Sequence, residues 1–154
     1  MDKTIIPIAS GKGGVGKSFM AANLAVALAE LGKKVIVADL DFGGSNLHTC
    51  LGINNKHPGI GDFIRARYSN LDNLLVETGN DNLKFLAGDV RSPFLANMHH
   101  AQKMRLIYNL KQLKFEYLIL DLGSGSTYNT LDFFSMTQLG MIISTTEHTS
   151  TTNM

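Results

Sequence analysis

The chain has 154 residues, which suits one globular domain with a sizeable core, and we expect a single domain over residues 1–154. Its 14 basic and 13 acidic residues leave a net charge of +1, which excludes a nucleic-acid-coating surface and a charged disordered tail. The single cysteine, Cys50, excludes an intrachain disulfide and an iron–sulfur cluster held by several cysteines of this chain.

The first forty residues predict a strand, a helix and a second strand. Residues 4–9 are mostly apolar and β-branched, which is typical of a buried strand. Residues 19–31 carry apolar side chains at helical spacing, so we expect a helix that ends at Gly32. The apolar run at residues 35–39 predicts the second buried strand. The residues on the expected helix face are Leu24, Ala25, Leu28 and Leu31.

The rest of the chain continues this alternation, with weaker signals in the middle. Strands and helices at such spacing predict parallel βαβ units and therefore an α/β fold. In the long helix we expect Met104, Ile107 and Tyr108 to contact the core. The expected elements are short helices at 45–51, 60–64 and 71–75, strands at 83–87, 115–121 and 140–145, and helices at 97–113 and 129–136, with a loop at 89–93.

The loop between the first strand and the first helix carries a complete phosphate-binding pattern. Gly11, four further residues and then Gly16-Lys17-Ser18 match G-x-x-x-x-G-K-[ST]. Glycines let main-chain N–H groups crowd around a polyphosphate, and the helix start adds N–H donors without partners. We expect Lys17 to bind the β- and γ-phosphates and Ser18 to ligate Mg²⁺ directly. The phosphate-binding residues are then Gly11, Lys12, Gly13, Gly14, Val15, Gly16, Lys17 and Ser18.

Three aspartates lie at the ends of two predicted strands. Ligands gather at the carboxyl ends of parallel strands, so we expect Asp39, Asp41 and Asp121 to face the phosphate loop. Asp121 is the natural Walker B acid, which holds Mg²⁺ through water, and Asp39 is placed to do the same. Asp41 is a candidate to orient the water that attacks the γ-phosphate. The alternative for any one of these residues is a turn or a helix N-cap.

These motifs together resemble the MinD/ParA/Mrp family of ATPases with a deviant Walker A motif. Residues 11–18 contain the extra signature lysine of that family at Lys12, and residues 38–47 look like its second motif. Residues 121–129 look like its Walker B motif and the switch that follows. Residues 46–52 and 129–134 resemble the MinD-like branch, which includes the flagellar-number regulator FlhG.

The resemblance implies a three-layer P-loop NTPase fold with a mainly parallel sheet. It also implies Mg²⁺-dependent ATP hydrolysis by an ATP-gated homodimer, in which Lys12 reaches the partner's phosphates and Lys12, Lys17 and Asp41 are catalytic. The role implied is positioning or assembly, in cell division, chromosome partitioning or flagellar placement, with an unidentified activator or cargo protein. Because the family continues well beyond the counterpart of Thr149, we expect a C-terminally truncated domain.

Two other functions stay open, a nucleotide-binding interaction module without hydrolysis and an Mrp-like iron–sulfur carrier. The absence of a paired-cysteine motif argues against the carrier in this chain. We expect a cytoplasmic protein, since no apolar run approaches ~20 residues and no signal peptide is evident. Peripheral membrane association would need a missing C-terminal part, and no direct nucleic-acid signal is present. We expect His99 and His100 to form a solvated pair and Cys50 to be buried in a short helix.

Overall fold

Helices and strands alternate along the computed structural model, which describes residues 3–42, 44–54, 56–89 and 98–146. A short 3₁₀ helix at Asp72–Leu74 precedes the third strand. The elements are β1 (Thr4–Ser10), α1 (Lys17–Glu30), β2 (Val35–Leu40), α2 (Leu47–Cys50), α3 (Ile60–Ile64), β3 (Leu75–Glu77), β4 (Leu83–Leu86), α4 (His100–Gln112), β5 (Tyr117–Ser124), α5 (Tyr128–Ser135) and β6 (Met141–Ile143).

The strands form one six-stranded sheet in the order β3-β4-β2-β5-β1-β6. Every neighbouring pair is parallel except β3 with β4, which is antiparallel. The mainly parallel α/β sheet expected from the sequence is therefore confirmed. In the register of β2 with β5, Asp39 lies directly opposite Asp121, so two of the predicted site acids are neighbours across the sheet.

Helices cover both faces of the sheet and give the three expected layers. On one face, α1 and α2 pack on the sheet through small and branched side chains such as Ala25 and Leu47. On the other face, α3, α4 and α5 contribute Phe63, Leu110 and Phe133 to a second apolar cluster. Since both faces are covered, β2 is buried along its whole length, as its continuous apolar sequence predicts.

Two of the predicted helix faces were wrong in detail. In α1 the fully buried apolar residues are alanines, Leu24 and Leu28 are half-buried and pack against the same cluster, and only Leu31 of the predicted face is exposed. Small side chains at this interface let the helix lie close to the sheet. In α4, Met104 and Tyr108 face solvent, whereas Ile107 is buried as predicted. The buried alanines of α1 are Ala21, Ala22, Ala25 and Ala29.

The predicted helix around Leu71–Leu75 was also wrong, because only one 3₁₀ turn forms before the chain enters β3 at Leu75. Pairing with β4 produces this strand: Leu75 lies opposite Leu86, and Glu77 lies opposite Lys84, with their charged atoms 2.7 Å apart. The other predicted elements are present, with ends shifted by a few residues. The described residues do not include most of the predicted loop at 89–93, the predicted helix start at residue 97 or the C-terminal segment 147–154.

Candidate active site

The phosphate loop joins the end of β1 to the start of α1 and is shaped by glycines. Gly14 and Gly16 have φ angles of 78° and 92°, in the left-handed region that favours glycine. Gly16 is the N-cap, and in the described part of the chain no side chain caps α1. The first helical bond runs from the Met20 N–H to the Gly16 carbonyl, 2.9 Å, so the N–H groups of the first turn lack intrahelical partners. The loop thus offers anion-binding donors.

The loop borders an open cavity of about 270 Å³ that also contains one of the predicted acids. All of the lining residues except one are glycine or carry hydroxyl, amide or charged side chains. Ser124, Asn46 and Phe19 line this cavity but were not singled out from the sequence, although all lie in or next to its motifs. The lining is formed by Ser10, Gly13, Gly14, Gly16, Lys17, Ser18, Phe19, Asp41, Asn46 and Ser124.

Lys17 and Asp121 form a buried ion pair at the base of this cavity. The Lys17 ammonium donates to Asp121 Oδ1 at 2.5 Å, and the side chains are 7% and 1% exposed. Lys17 Nζ also lies 4.0 Å from Asp41 Oδ2, on a carboxylate that is 25% exposed. The structure therefore places the P-loop lysine between Asp41, which follows β2, and Asp121, which lies within β5. A cation with two carboxylates at a phosphate-binding loop can exchange partners when phosphate and Mg²⁺ bind.

Asp121 has the features expected of an acid that receives Mg²⁺-bound water. Burial raises the pKa of this carboxyl, while the Lys17 ammonium and the Ser18 hydroxyl act in the opposite direction. Its Oδ2 atom is buried and has no hydrogen-bond partner among the described residues. A buried acceptor without a donor is costly, and a metal-bound water would supply that donor. Ser18 on one side and Asp121 on the other therefore fit a Mg²⁺ ion.

Asp39 holds the loop after β2 in place through both of its carboxylate oxygens. Oδ1 accepts the backbone N–H of Asp41 at 3.1 Å, and Oδ2 accepts that of Leu47 at 3.2 Å. Burial, together with the nearby charge of Asp121, raises the Asp39 pKa to about 7. These bonds position the Asp41 backbone and the start of α2. This loop-holding role is present beside any contact of Asp39 with Mg²⁺-bound water, which stays a prediction.

Asp41 follows β2 and lies at the mouth of the site, close to the carboxyl end of β5. Its Oδ1 atom accepts the Gly44 N–H at 3.1 Å, and the Ser45 hydroxyl donates to its carbonyl at 2.8 Å. A Cβ atom built on Gly123 would lie only 3.6 Å from the Asp41 carboxylate, so β5 approaches closely from the other side. A partly exposed carboxylate in this position can hold a water molecule at the mouth of the phosphate cavity.

Lys12 lies on the outer side of the loop and is exposed. Its backbone is held by the Ser10 hydroxyl, which donates to the Lys12 carbonyl at 3.0 Å. The other members of the predicted phosphate loop divide into buried and open positions. Gly11 and Lys17 are buried, Val15 and Ser18 are half-buried, and Gly13, Gly14 and Gly16 are exposed.

The two histidines to which the sequence assigned no ligand role are placed as expected, whereas the cysteine is not. His99 and His100 are exposed at the start of α4, and the His99 N–H donates to Gln102 at 3.2 Å. Within residues 3–42, 44–54, 56–89 and 98–146, no group of three or more His, Cys, Asp or Glu side chains is arranged to hold a metal ion. The prediction of a buried Cys50 was wrong: α2 has a single turn, Leu47 fills its inner side, and Cys50 is exposed.

A family model described as "ParA: NUBPL iron-transfer P-loop NTPase" matches residues 2–153, nearly the whole chain. The chain belongs to the MinD/ParA family of P-loop NTPases. The resemblance inferred from the motifs is thereby confirmed. The sheet and the phosphate loop described above are those of a family member.

Curated relatives and solved structures agree with this assignment. The septum site-determining protein MinD of Synechocystis is 37% identical over 145 residues, which cover 93% of this chain and 53% of the relative. The antiactivator FleN of Pseudomonas aeruginosa is 31% identical over 150 residues, 97% of this chain and 53% of FleN. The structure of MinD from Pyrococcus horikoshii complexed with Mg-ADP matches with a TM-score of 0.84 at 27% identity, covering 98% of this chain and 61% of that one.

The chain spans about half the length of these curated MinD/ParA relatives. Among the helices of the described residues, none combines the length and apolar character that crossing a membrane requires.

Proposed function

We propose that this chain binds Mg²⁺-ATP at the phosphate loop and hydrolyses it slowly, as an ATP-gated dimer that regulates positioning or assembly. The observation that carries the proposal is the buried Lys17–Asp121 pair, with Asp41 beside it, at a glycine loop that opens α1. Support comes from the solved MinD of P. horikoshii, which is complexed with Mg-ADP. ATP rather than another nucleotide follows from the family resemblance.

Each site residue then has a defined task. The loop N–H groups hold the phosphates, and Lys17 turns from Asp121 towards the phosphate oxygens, whose charge it offsets. That movement leaves Asp121 able to accept hydrogen bonds from Mg²⁺-bound water, while Ser18 ligates the ion. Mg²⁺ supplies charge neutralisation at the β- and γ-phosphates when bound. Asp41 orients the attacking water, and Asp39 keeps Asp41 in place through the backbone bond described above.

Lys12 provides the link between nucleotide binding and dimerisation. Since its side chain is exposed on the rim of the loop, a second copy facing this surface would bring its own phosphates within reach of it. An added positive charge near the γ-phosphate favours the transition state, as an arginine finger does. We expect Lys12→Ala to weaken ATP-dependent dimerisation while nucleotide binding largely survives. Light scattering of a hydrolysis-blocked form with Mg²⁺-ATP measures this, and unchanged dimerisation would count against the proposed role of Lys12.

Equilibrium binding of labelled ATP in the presence of Mg²⁺ tests whether the chain binds the nucleotide. A folded sample that fails to bind ATP would refute the proposed function. A phosphate-release assay on the same sample separates the ATPase from an interaction module without hydrolysis, which predicts binding without turnover. The relatives include septum site-determining MinD proteins and the antiactivator FleN, whose names describe positioning and regulatory roles. We therefore propose a positioning or regulatory role for this chain.

The matching family includes iron-transfer P-loop NTPases, which favours a second candidate function. Cys50 is exposed and is the only cysteine of the chain, so it can supply one thiolate for an iron–sulfur cluster. Further ligands would have to come from a second copy or from another protein. Anaerobic reconstitution with iron and sulfide, followed by visible absorption, tests this function. A stable cluster that Cys50→Ser abolishes would support it, and the absence of cluster absorption would count against it.

A further inference from the structure

Phe19, the third residue of α1, has no packing role in the fold that we can identify. Its side chain is 66% exposed, whereas the other phenylalanines that the structure describes are buried or half-buried. The buried face of α1 consists of alanines and the Lys17 side chain, and Phe19 lies outside that face. A single exposed aromatic side chain is common on protein surfaces, so what distinguishes Phe19 is that it also lines the phosphate cavity.

The backbone at Phe19 is fixed beside the phosphate cavity, which this residue lines. The Asn23 side-chain amide donates to the Phe19 carbonyl at 2.8 Å, and the first turn of α1 is anchored by the bond from Met20 to Gly16. The backbone that carries the ring therefore belongs to a hydrogen-bonded helix that begins at the phosphate loop. This placement is what a ligand-contacting side chain needs.

Phe19 differs in chemical character from the other residues that line the phosphate cavity. The other lining residues are glycine, serine, lysine, aspartate or asparagine, which suit phosphate and Mg²⁺. Phe19 is the single aromatic side chain in this lining, within the part of the chain that the structure describes. A nucleoside triphosphate has the same two halves, an anionic tail and a planar, largely apolar base on a ribose.

We infer that the Phe19 ring contacts the nucleoside half of the bound nucleotide and makes this site prefer nucleoside triphosphates to inorganic polyphosphate. The inference rests on the proposed nucleotide binding at the phosphate loop. Every base has a π-face, so an aromatic ring adds affinity without distinguishing one base strongly from another. Phe19 is thus a specificity-determining residue for nucleoside against bare phosphate, and its contribution is similar for ATP and GTP.

Competition binding with the whole chain tests the inference. Labelled ATP with Mg²⁺ is bound to wild type, Phe19→Ala and Phe19→Trp, and is displaced by unlabelled ATP or by tripolyphosphate. We expect Phe19→Ala to weaken ATP binding about 5- to 150-fold, the range that base–aromatic stacking gives. Tripolyphosphate affinity should stay within about twofold, and tryptophan should restore ATP binding.

Tyr108→Ala is the matched control, because Tyr108 is 65% exposed, lies on α4 and does not line the phosphate cavity. It should leave both affinities unchanged. Urea unfolding of Phe19→Ala should match wild type, which shows that a loss of ATP binding is local. Equal weakening of ATP and tripolyphosphate, or no weakening of ATP, overturns the inference while leaving the proposed function intact. A wild type that binds neither ligand overturns both.

Discussion

Replacing Lys17 by methionine should destabilise the protein even in the absence of nucleotide. The Lys17 ammonium lies 2.5 Å from Asp121 Oδ1, and both side chains are buried. Removing the cation leaves a buried carboxylate without its counter-charge, a loss of about 3–5 kcal/mol in the free energy of unfolding. Methionine keeps a flexible aliphatic chain in the same space, so most of the loss comes from charge rather than from a cavity.

The size of this loss should depend on pH. Burial already raises the Asp121 pKa, and removing Lys17 takes away the main group that lowers it. Asp121 can then escape the penalty by taking up a proton, so the loss is largest above neutral pH and smaller in acid. The 4.0 Å contact of Lys17 with Asp41 is partly exposed and adds at most about 1 kcal/mol.

Urea and thermal unfolding of wild type, Lys17→Met, Asp121→Asn and the double variant measure the effect without nucleotide. For a chain of this size, the loss corresponds to a fall in Tm of roughly 10 °C. The double variant should recover at least about half of it, because neither charge then remains buried alone. A free energy of unfolding for Lys17→Met within about 0.5 kcal/mol of wild type at pH 7.5 would show that the buried pair does not stabilise the fold. So would a double variant in which Asp121→Asn restores none of the stability that Lys17→Met loses.

Two further predictions concern stability. Burial raises the pKa of Asp39 in the folded protein from 3.8 to about 7, so between these pH values the folded protein binds more protons than the unfolded chain. The free energy of unfolding of wild type should therefore fall, relative to that of Asp39→Asn, as pH rises from about 4 to 7. In urea unfolding, the difference in free energy of unfolding between wild type and Asp39→Asn should change by up to about 4 kcal/mol across this pH range. A difference that stays constant from about pH 4 to 7 would contradict the raised pKa. Gly16→Ala should cost about 1–2 kcal/mol, since φ is 92° but a Cβ atom meets nothing within 4 Å. Gly59→Ala should cost more, because its Cβ would lie 2.4 Å from the Ala87 carbonyl oxygen, and the reverse order in urea midpoints would show this packing argument to be wrong.

The phosphate loop and the strand-end acids could be predicted because each depends on local sequence. A strand, a glycine pattern and a helix in immediate succession fix where the loop lies. Continuous apolar runs that end in Asp39 and Asp121 predict buried parallel strands, whose carboxyl ends meet at one edge. The register that sets these two residues opposite one another follows from strand pairing.

Other features depend on contacts between distant parts of the chain and were not predictable. Helix α1 is apolar on nearly every side, so its sequence does not show which face meets the sheet. Lys103 lies on the buried face of α4, where it pairs with Asp132 of α5, while Met104 and Tyr108 face solvent. Strand β3 is too short to be recognised without β4 beside it.

The role of Asp39 illustrates the same limit within the site. Its position at the end of β2 was predicted, but its bonds to the N–H groups of Asp41 and Leu47 depend on how the following loop folds back. The place of Phe19 in the cavity lining was not predicted for a related reason. An aromatic residue after Ser18 looks like part of a helix core until its exposure is known.

Binding of Mg²⁺-ATP by the P-loop, Lys17 and Asp121 is best measured by isothermal titration of wild type with ATP, once with Mg²⁺ and once with a chelator. The Lys17→Met/Asp121→Asn double variant is the charge-depleted control, after urea unfolding has shown that it folds. We expect saturable one-site binding by wild type that weakens strongly without Mg²⁺ and is lost in the double variant. Equal binding by the double variant, or no binding by folded wild type, would contradict it.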